Sequence, residues 1–182
     1  MVNRGITGSS GGSFVSGTPP RRALGIDLGD RRIGLALRED SAAPRGIPTM
    51  MRRPTAAADS DRLRTVVAEG RVTELVVGLP LHNDGSLSPQ ATATLRWATE
   101  VAEALQLPIT FVDERYSSQR AEASLGRAAR GSNGGAPGPA RREARRAAVD
   151  REAARLILED ALNPELVISP AVLSIGMRES AS

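Results

Sequence analysis

Two short apolar runs, residues 23–28 (ALGIDL) and 33–38 (IGLALR), stand four residues apart across Gly29-Asp30-Arg31-Arg32. Runs this short, joined through Gly and Asp, spell strand–turn–strand. A hairpin this early commits the rest of the chain to packing on a sheet. A third strand is expected near 47–51, set off by Pro44, Pro48 and Pro54. The period then changes. Residues 59–69 carry Leu63, Val66 and Val67 on one helical side, with Gly70 as the stop. Residues 74–79 (ELVVGL) form a buried strand ended by Pro80, Ser88-Pro89 opens a helix to about Leu107, and 109–112 (ITFV) is the next strand. Residues from 117 to about 129 read as helical and 131–139 (GSNGGAPGP) as a flexible loop. A last helix runs from Arg142 or Ala147 to Leu162, stopped by Asn163-Pro164.

The order β β β α β α β α loop α predicts an α/β fold, a ribonuclease H-like single domain with a mixed five-stranded sheet flanked by helices. That domain is expected over 21–168. Residues 1–20, of which 13 are Gly, Ser, Thr or Pro, read as a flexible leader without the apolar stretch of a signal peptide. Residues 169–182 read as a loosely ordered tail. No apolar run approaches the ~20 residues of a membrane span, so a soluble, cytoplasmic protein without a membrane partner is expected.

Composition narrows the chemistry. All 24 basic residues are Arg, which removes Schiff-base catalysis and the Walker A lysine. No Cys is present, so thiol catalysis, Cys-ligated zinc and iron–sulfur clusters are excluded. The single His82 rules out sites built on several imidazoles and reads as a polar loop residue. Met50, Met51 and Trp97 read as packing residues. Only carboxylates remain plentiful as metal ligands and proton carriers.

Three acidic positions fit poorly as bland surface. Asp27 shares a strand face with Ala23 and Gly25, while Leu24, Ile26 and Leu28 take the other. It therefore projects from a face with room for a ligand or metal; the alternative is an Asp that starts the turn at Gly29. Asp113 and Glu114 end the strand ITFVDER, and alternation lets only one of them face the same way as Asp27. Spacing leaves that choice open, as it does a simple pairing with Arg115. Asp150 falls in the middle of an apolar helical arc made by Ala154, Ile157, Leu158 and Ala161, so it needs a cation, a metal or donors. The alternative makes Asp150 an N-cap, without the Glu or Gln at 153 that a capping box requires. Acids from the first strand, a later strand and the last helix would meet at one sheet end and could hold two Mg²⁺ or Mn²⁺ ions for phosphodiester cleavage.

Charge is uneven. Residues 126–155 hold eight Arg (127, 130, 141, 142, 145, 146, 151 and 155) against three acids, a local +5, while the remainder is slightly acidic. Such a cluster is a candidate nucleic-acid surface; a solvated run is the alternative.

The segments GIDLGDRRIGLAL (25–37), VVGLPLHNDGS (76–86), VDERYSSQRAEASL (112–125) and VDREAARLILEDAL (149–162) together resemble the RuvC-like nuclease family YqgF, whose members also carry the names pre-16S rRNA nuclease and Holliday junction resolvase. The likeness covers roughly 22–168. It implies a ribonuclease H-like fold and a two-metal site of Mg²⁺ or Mn²⁺ held by Asp27, Glu114 and Asp150, with Asp113 as the alternative to Glu114. Arg32 matches the family's basic residue after the first-strand turn, and Arg31 stands where Lys is usual. His82-Asn83, Tyr116, Ser117-Ser118 and Arg38-Glu39 depart from the family pattern and bear on substrate contacts. Arg31, Arg32, Asn83, Arg115, Arg141, Arg142, Arg145 and Arg146 are the expected substrate-binding residues.

The function so implied is a metal-dependent nuclease on structured RNA, processing the 5′ end of pre-16S rRNA in ribosome biogenesis. Its partner is nucleic acid, pre-rRNA first and branched DNA as the alternative, with the protein a monomer or homodimer. A four-way DNA junction endonuclease and a non-catalytic rRNA-binding assembly factor are the competing readings. A sugar-kinase-like phosphotransferase needs two copies of the fold, more than 182 residues hold.

Overall fold

In the computed structural model, residues 21–115, 117–126, 138–168 and 173 are described. The expected leader at 1–20, most of the 131–139 loop, nearly all of the tail, Tyr116, Arg127 and Arg130 lie outside them. The elements are β1 (Arg22–Leu28), β2 (Arg32–Glu39), β3 (Arg45–Met51), α1 (Ala56–Gly70), β4 (Glu74–Leu79), α2 (Pro89–Leu105), β5 (Ile109–Asp113), α3 (Ser117–Ser124) and α4 (Pro139–Asp160). The sheet order is β3-β2-β1-β4-β5. The first three strands pair antiparallel and β1, β4 and β5 run parallel. This is the mixed five-stranded ribonuclease H-like sheet that the element order predicts. No helix among the described residues is long and apolar enough to cross a membrane.

Several boundaries differ from expectation, each for a local reason. α1 starts three residues before Asp59 because Thr55 caps it, its Oγ1 accepting from Ala58 N at 3.2 Å. Asp59 itself is fully buried, accepting from Arg53 N at 2.9 Å and Trp97 Nε1 at 3.0 Å. The left-handed residue that ends α1 is Arg71 (φ 48°), not Gly70. Position 70 lacks a side chain because the helix end lies against Leu37, whose methyls would stand 3.3 Å from a Cβ. α2 stops at Leu105, with Gln106 left-handed (φ 55°), two residues short of expectation. α3 ends at Ser124 rather than near 129. α4 begins at Pro139, ahead of both starts considered, with the proline in its first turn. Asp150 is therefore an interior helical residue and not an N-cap.

The sheet's two faces are packed differently. Leu24, Ile26 and Leu28 of β1, Ile33, Leu35 and Leu37 of β2, and Leu75, Val77 and Leu79 of β4 point to one face, where they meet Leu63 of α1 and Leu95, Trp97 and Val101 of α2. On the other face Ala23, Ala36, Val76 and Val112 meet Ala154, Ile157 and Leu158 of α4. Small residues there let the helix approach closely: a Cβ on Gly25 would lie 2.6 Å from Leu158 Cγ and 2.7 Å from the Ala154 carbonyl oxygen. The room expected on this face is thus filled by α4 at the level of Gly25. α4 crosses β1, β2 and β3, and Arg38 Nη1 donates to the Leu158 carbonyl near its C-terminal end at 2.7 Å. Beyond α4 the chain returns along β5, Asp113 N donating to Leu166 O and Ile168 N to Phe111 O, both at 2.9 Å.

Candidate active site

The strand register explains what can approach Asp27. Asp27 pairs with Gly34 of β2, and one step past the last β1–β4 pair, Ile26–Val77, its parallel neighbour is Gly78. Asp27 is therefore flanked by a glycine on either side of its own face. Each glycine lies beneath an acid. A Cβ on Gly34 would overlap the Asp150 carbonyl, with the carbonyl carbon 2.7 Å away, and a Cβ on Gly78 would overlap Glu114 Oε2 and stand 2.6 Å from Ile157 Cδ1. Gly34 is what allows the α4 backbone to bring Asp150 toward Asp27, and Gly78 leaves room for the Glu114 and Ile157 side chains.

The ambiguity at 113–114 is resolved by the turn out of β5. Glu114 N donates to Leu79 O at 3.0 Å, and the Glu114 side chain reaches Asp27, with which it shares a hydrogen bond. Asp113 points elsewhere: its carboxylate accepts from Arg115 N at 3.0 Å, Nε at 2.8 Å and Nη2 at 2.6 Å. Burial first, then the charges of Glu114 and Asp150, push the Asp27 carboxyl well above its ordinary range.

Asp150 meets the cation that its place in an apolar arc requires. Arg32 Nε donates to Asp150 Oδ2 at 2.6 Å, and Arg32 Nη1 donates to Glu143 Oε1 at 3.0 Å. Among the described residues no three acids are grouped closely enough in this arrangement to hold a metal ion. Asp27 and Glu114 are joined while Asp150 is held by the guanidinium.

Divalent-cation chemistry fits this donor set. All three acids supply hard oxygen ligands, which suit Mg²⁺ and Mn²⁺, and the glycines beside Asp27 let Glu114 and α4 approach it.

The expected substrate contacts separate into two groups. Arg31 is exposed at the β1–β2 turn, and Arg141, Arg142 and Arg146 are exposed on the first turns of α4. Arg145 donates to the Gly126 carbonyl and Arg155 pairs with Glu152 and Glu159, so the basic segment is partly self-neutralised. Arg115 links Asp113 to the loop after β4 by donating to the Asn83 carbonyl at 2.8 Å. In that loop, Ser86 donates through N and Oγ to Asp84 at 2.9 and 2.7 Å, holding the exposed Asp84 carboxyl below its usual range.

Sequence reasoning missed Gly34, Gly78 and Glu143. The signal for the glycines lay in strand pairing, since small residues on neighbouring strands flank the candidate acid. It missed also Asp160, buried in α4 and held by Arg120 Nη1 at 2.7 and 2.8 Å, which ties α3 to α4.

The fold is thus a ribonuclease H-like domain, with acids from its first strand, from the turn after its last strand and from a crossing helix near one sheet end. Within that class the chain belongs to the RuvX family, also called YqgF, described as Holliday junction resolvase; the family's sequence pattern matches residues 21–164. A protein from a Synechococcus species named "Putative pre-16S rRNA nuclease" is 40% identical over 148 residues, covering 81% of this chain and 92% of that protein. One of the same name from a Roseiflexus species is 34% identical, covering 80% and 96%. Among solved structures, T. thermophilus RuvC in complex with a Holliday junction substrate aligns at 14% identity and a TM-score of 0.49, over 81% of this chain and 99% of that one.

Proposed function

We propose that this chain is a divalent-metal-dependent nuclease of the cytoplasm that processes the 5′ end of pre-16S rRNA, acting through one domain over residues 21–168. The observation that carries the reading is the approach of Asp27, Glu114 and Asp150 at one sheet end, beside glycines over which the α4 backbone and the Glu114 side chain pack. The names of the relatives support the choice of RNA substrate.

In this reading Asp27 is the central ligand, with Glu114 and Asp150 on either side. Two Mg²⁺ or Mn²⁺ ions, when bound, supply activation of the attacking water and stabilisation of the leaving oxygen. The protein's own part is placement. The Glu114 N–H to Leu79 bond fixes one ligand to the end of β4, and α4 fixes the other. Ile157 makes an apolar floor beside Gly78 that limits water around the carboxylates. Arg31 at the β1–β2 turn and Arg141, Arg142 and Arg146 on the first turns of α4, all exposed, would bind backbone phosphates, which position the strand without reading its sequence. The products are a 5′-phosphate and a 3′-hydroxyl.

A four-way DNA junction is the second reading, favoured by the description of the family. One assay separates the readings: cleavage of precursor rRNA, single strands and four-way junctions in Mg²⁺ and in Mn²⁺, with Asp27→Asn as the control. Metal-dependent trimming of the rRNA alone is the expected result. Junction cleavage selects the second reading, and tight binding without any cleavage makes the chain an assembly factor.

A further inference from the structure

Arg32 occupies an unusual position for a residue expected to hold substrate. Its side chain is only 14% exposed, its Nε is 2.6 Å from Asp150 Oδ2, and its Nη1 reaches Glu143 Oε1 at 3.0 Å. The first of these carboxylates is one of the three acids of the candidate site. The second lies on the same helix, two turns earlier, and is 54% exposed. The guanidinium thus bridges the buried site and its solvent-facing rim.

We propose that Arg32 is a stand-in cation: it neutralises Asp150 in the ion-free protein and, when a divalent ion binds, gives up Asp150 and turns its freed donors to a backbone phosphate of the substrate. This rests on the metal-dependent reading above. Three features of the structure support the exchange over a fixed contact. A carboxylate held in a largely apolar helix face needs a positive partner at all times, and Arg32 supplies it when no ion does. Once an ion binds Asp150, a guanidinium in contact with the same carboxylate sits beside a like charge, which penalises the ion. And Glu143 is already engaged, so Arg32 keeps one anchor through Nη1 while its Nε is released to act beside Nη2. A planar fork anchored at one end and emptied at the other matches two phosphate oxygens, a geometry Lys could not reproduce.

The opposing possibility is that Arg32 orients Asp150 from behind while the ion sits on the other carboxylate oxygen, as outer-shell partners of metal ligands do. The two differ in sign. If Arg32 competes with the ion, removing it strengthens ion binding; if it orients the ligand, removing it weakens binding.

The test is calorimetric titration of the full chain with Mn²⁺ and no nucleic acid, for the wild type, Arg32→Gln, Asp150→Asn and the double variant. Arg32→Gln should bind Mn²⁺ about tenfold more tightly, within the usual range of coupling between sites, and the gain should vanish in the Asp150→Asn background. Equal or weaker binding by Arg32→Gln overturns the exchange and leaves the metal site standing. A wild type that binds neither Mn²⁺ nor Mg²⁺ overturns both the exchange and the metal-dependent reading. Because Arg32→Gln could loosen α4, a second measurement uses the unaltered protein: the Arg32 Nε–H resonance should leave its hydrogen-bonded position as Mg²⁺ saturates the site. A resonance that stays in place while signals near Asp27 move also overturns the exchange.

Discussion

The two faces of the sheet solve opposite problems. The face under α1 and α2 is lined by Leu and Ile whose side chains keep the helices at a distance and bury as much apolar area as the strands allow. The face under α4 is lined by Ala, Gly and Val, so the helix backbone comes close enough for Asp150 to stand over Gly34. The first arrangement stabilises the fold. The second gives up apolar area to bury Asp27 close to Glu114 and Asp150, and burial first, then those charges, raise its carboxyl pKa. Stability and chemistry are thus assigned to opposite sides of one sheet, which makes them separable by substitution.

The largest expected effect is on the α4 face. Asp27→Asn should lower cleavage by about 10³-fold or more, the scale for removing a central electrostatic group, while raising rather than lowering the melting temperature at neutral pH. The sign follows from linkage. The folded protein holds the Asp27 proton more tightly than the unfolded chain, whose carboxyl titrates near 3.8. Ionisation therefore costs stability as pH rises from that value through the raised folded pKa. The gain from Asn should vanish in acid, where the carboxyl is protonated in both states, and thermal melts of the metal-free protein across pH check it. A gain that persists in acid would point to packing instead of charge.

Gly34→Ala comes next. Its Cβ has no flexible side-chain tip to displace, only the backbone of α4, so the helix must move. Cleavage should fall about 100-fold from misplacement of Asp150, with a loss of about 1–3 kcal/mol from overpacking; single-turnover kinetics and denaturant titration read the two. Leu63→Ala on the opposite face should reverse the pattern. It should cost about 2–5 kcal/mol of stability for a fully buried leucine and leave the rate per folded molecule unchanged. A rate loss of similar size in Leu63→Ala would show that the faces are not independent.

The smallest effect is at the rim. Replacing Arg141, Arg142, Arg145 and Arg146 with Gln should reduce the slope of log affinity against log salt by about 2 to 4, while cleavage of saturated substrate persists. An unchanged slope would identify the basic segment as a solvated run.

The two faces also differ in how far they could be read from sequence. Period-2 alternation in β1 separated Leu24, Ile26 and Leu28 from Ala23, Gly25 and Asp27, and both groups lie where that alternation puts them. The angular position of Asp150 demanded a partner, and one is there, because helix geometry is regular over the few turns involved. What that partner is could not be read, since Arg32 is 118 residues away and the pairing depends on how α4 crosses the hairpin. The choice between Asp113 and Glu114 likewise rests on non-local bonds, from Glu114 N to Leu79 and Asp113 N to Leu166. The start of α4 was placed too late because a run of Arg and Ala carries no apolar stripe, yet Pro139 and good helix formers suffice to begin it.

Residues 166–168, laid antiparallel along β5, turn what would be an open border of the sheet into an inner position. The opposite border, β3, carries Pro48, which has no N–H to offer a neighbour, and exposed Arg45. Among the described residues both borders therefore carry a feature that hinders the addition of a further strand. Resistance to strand-by-strand aggregation on the β5 side is thus a property of the same short return that anchors the end of that strand.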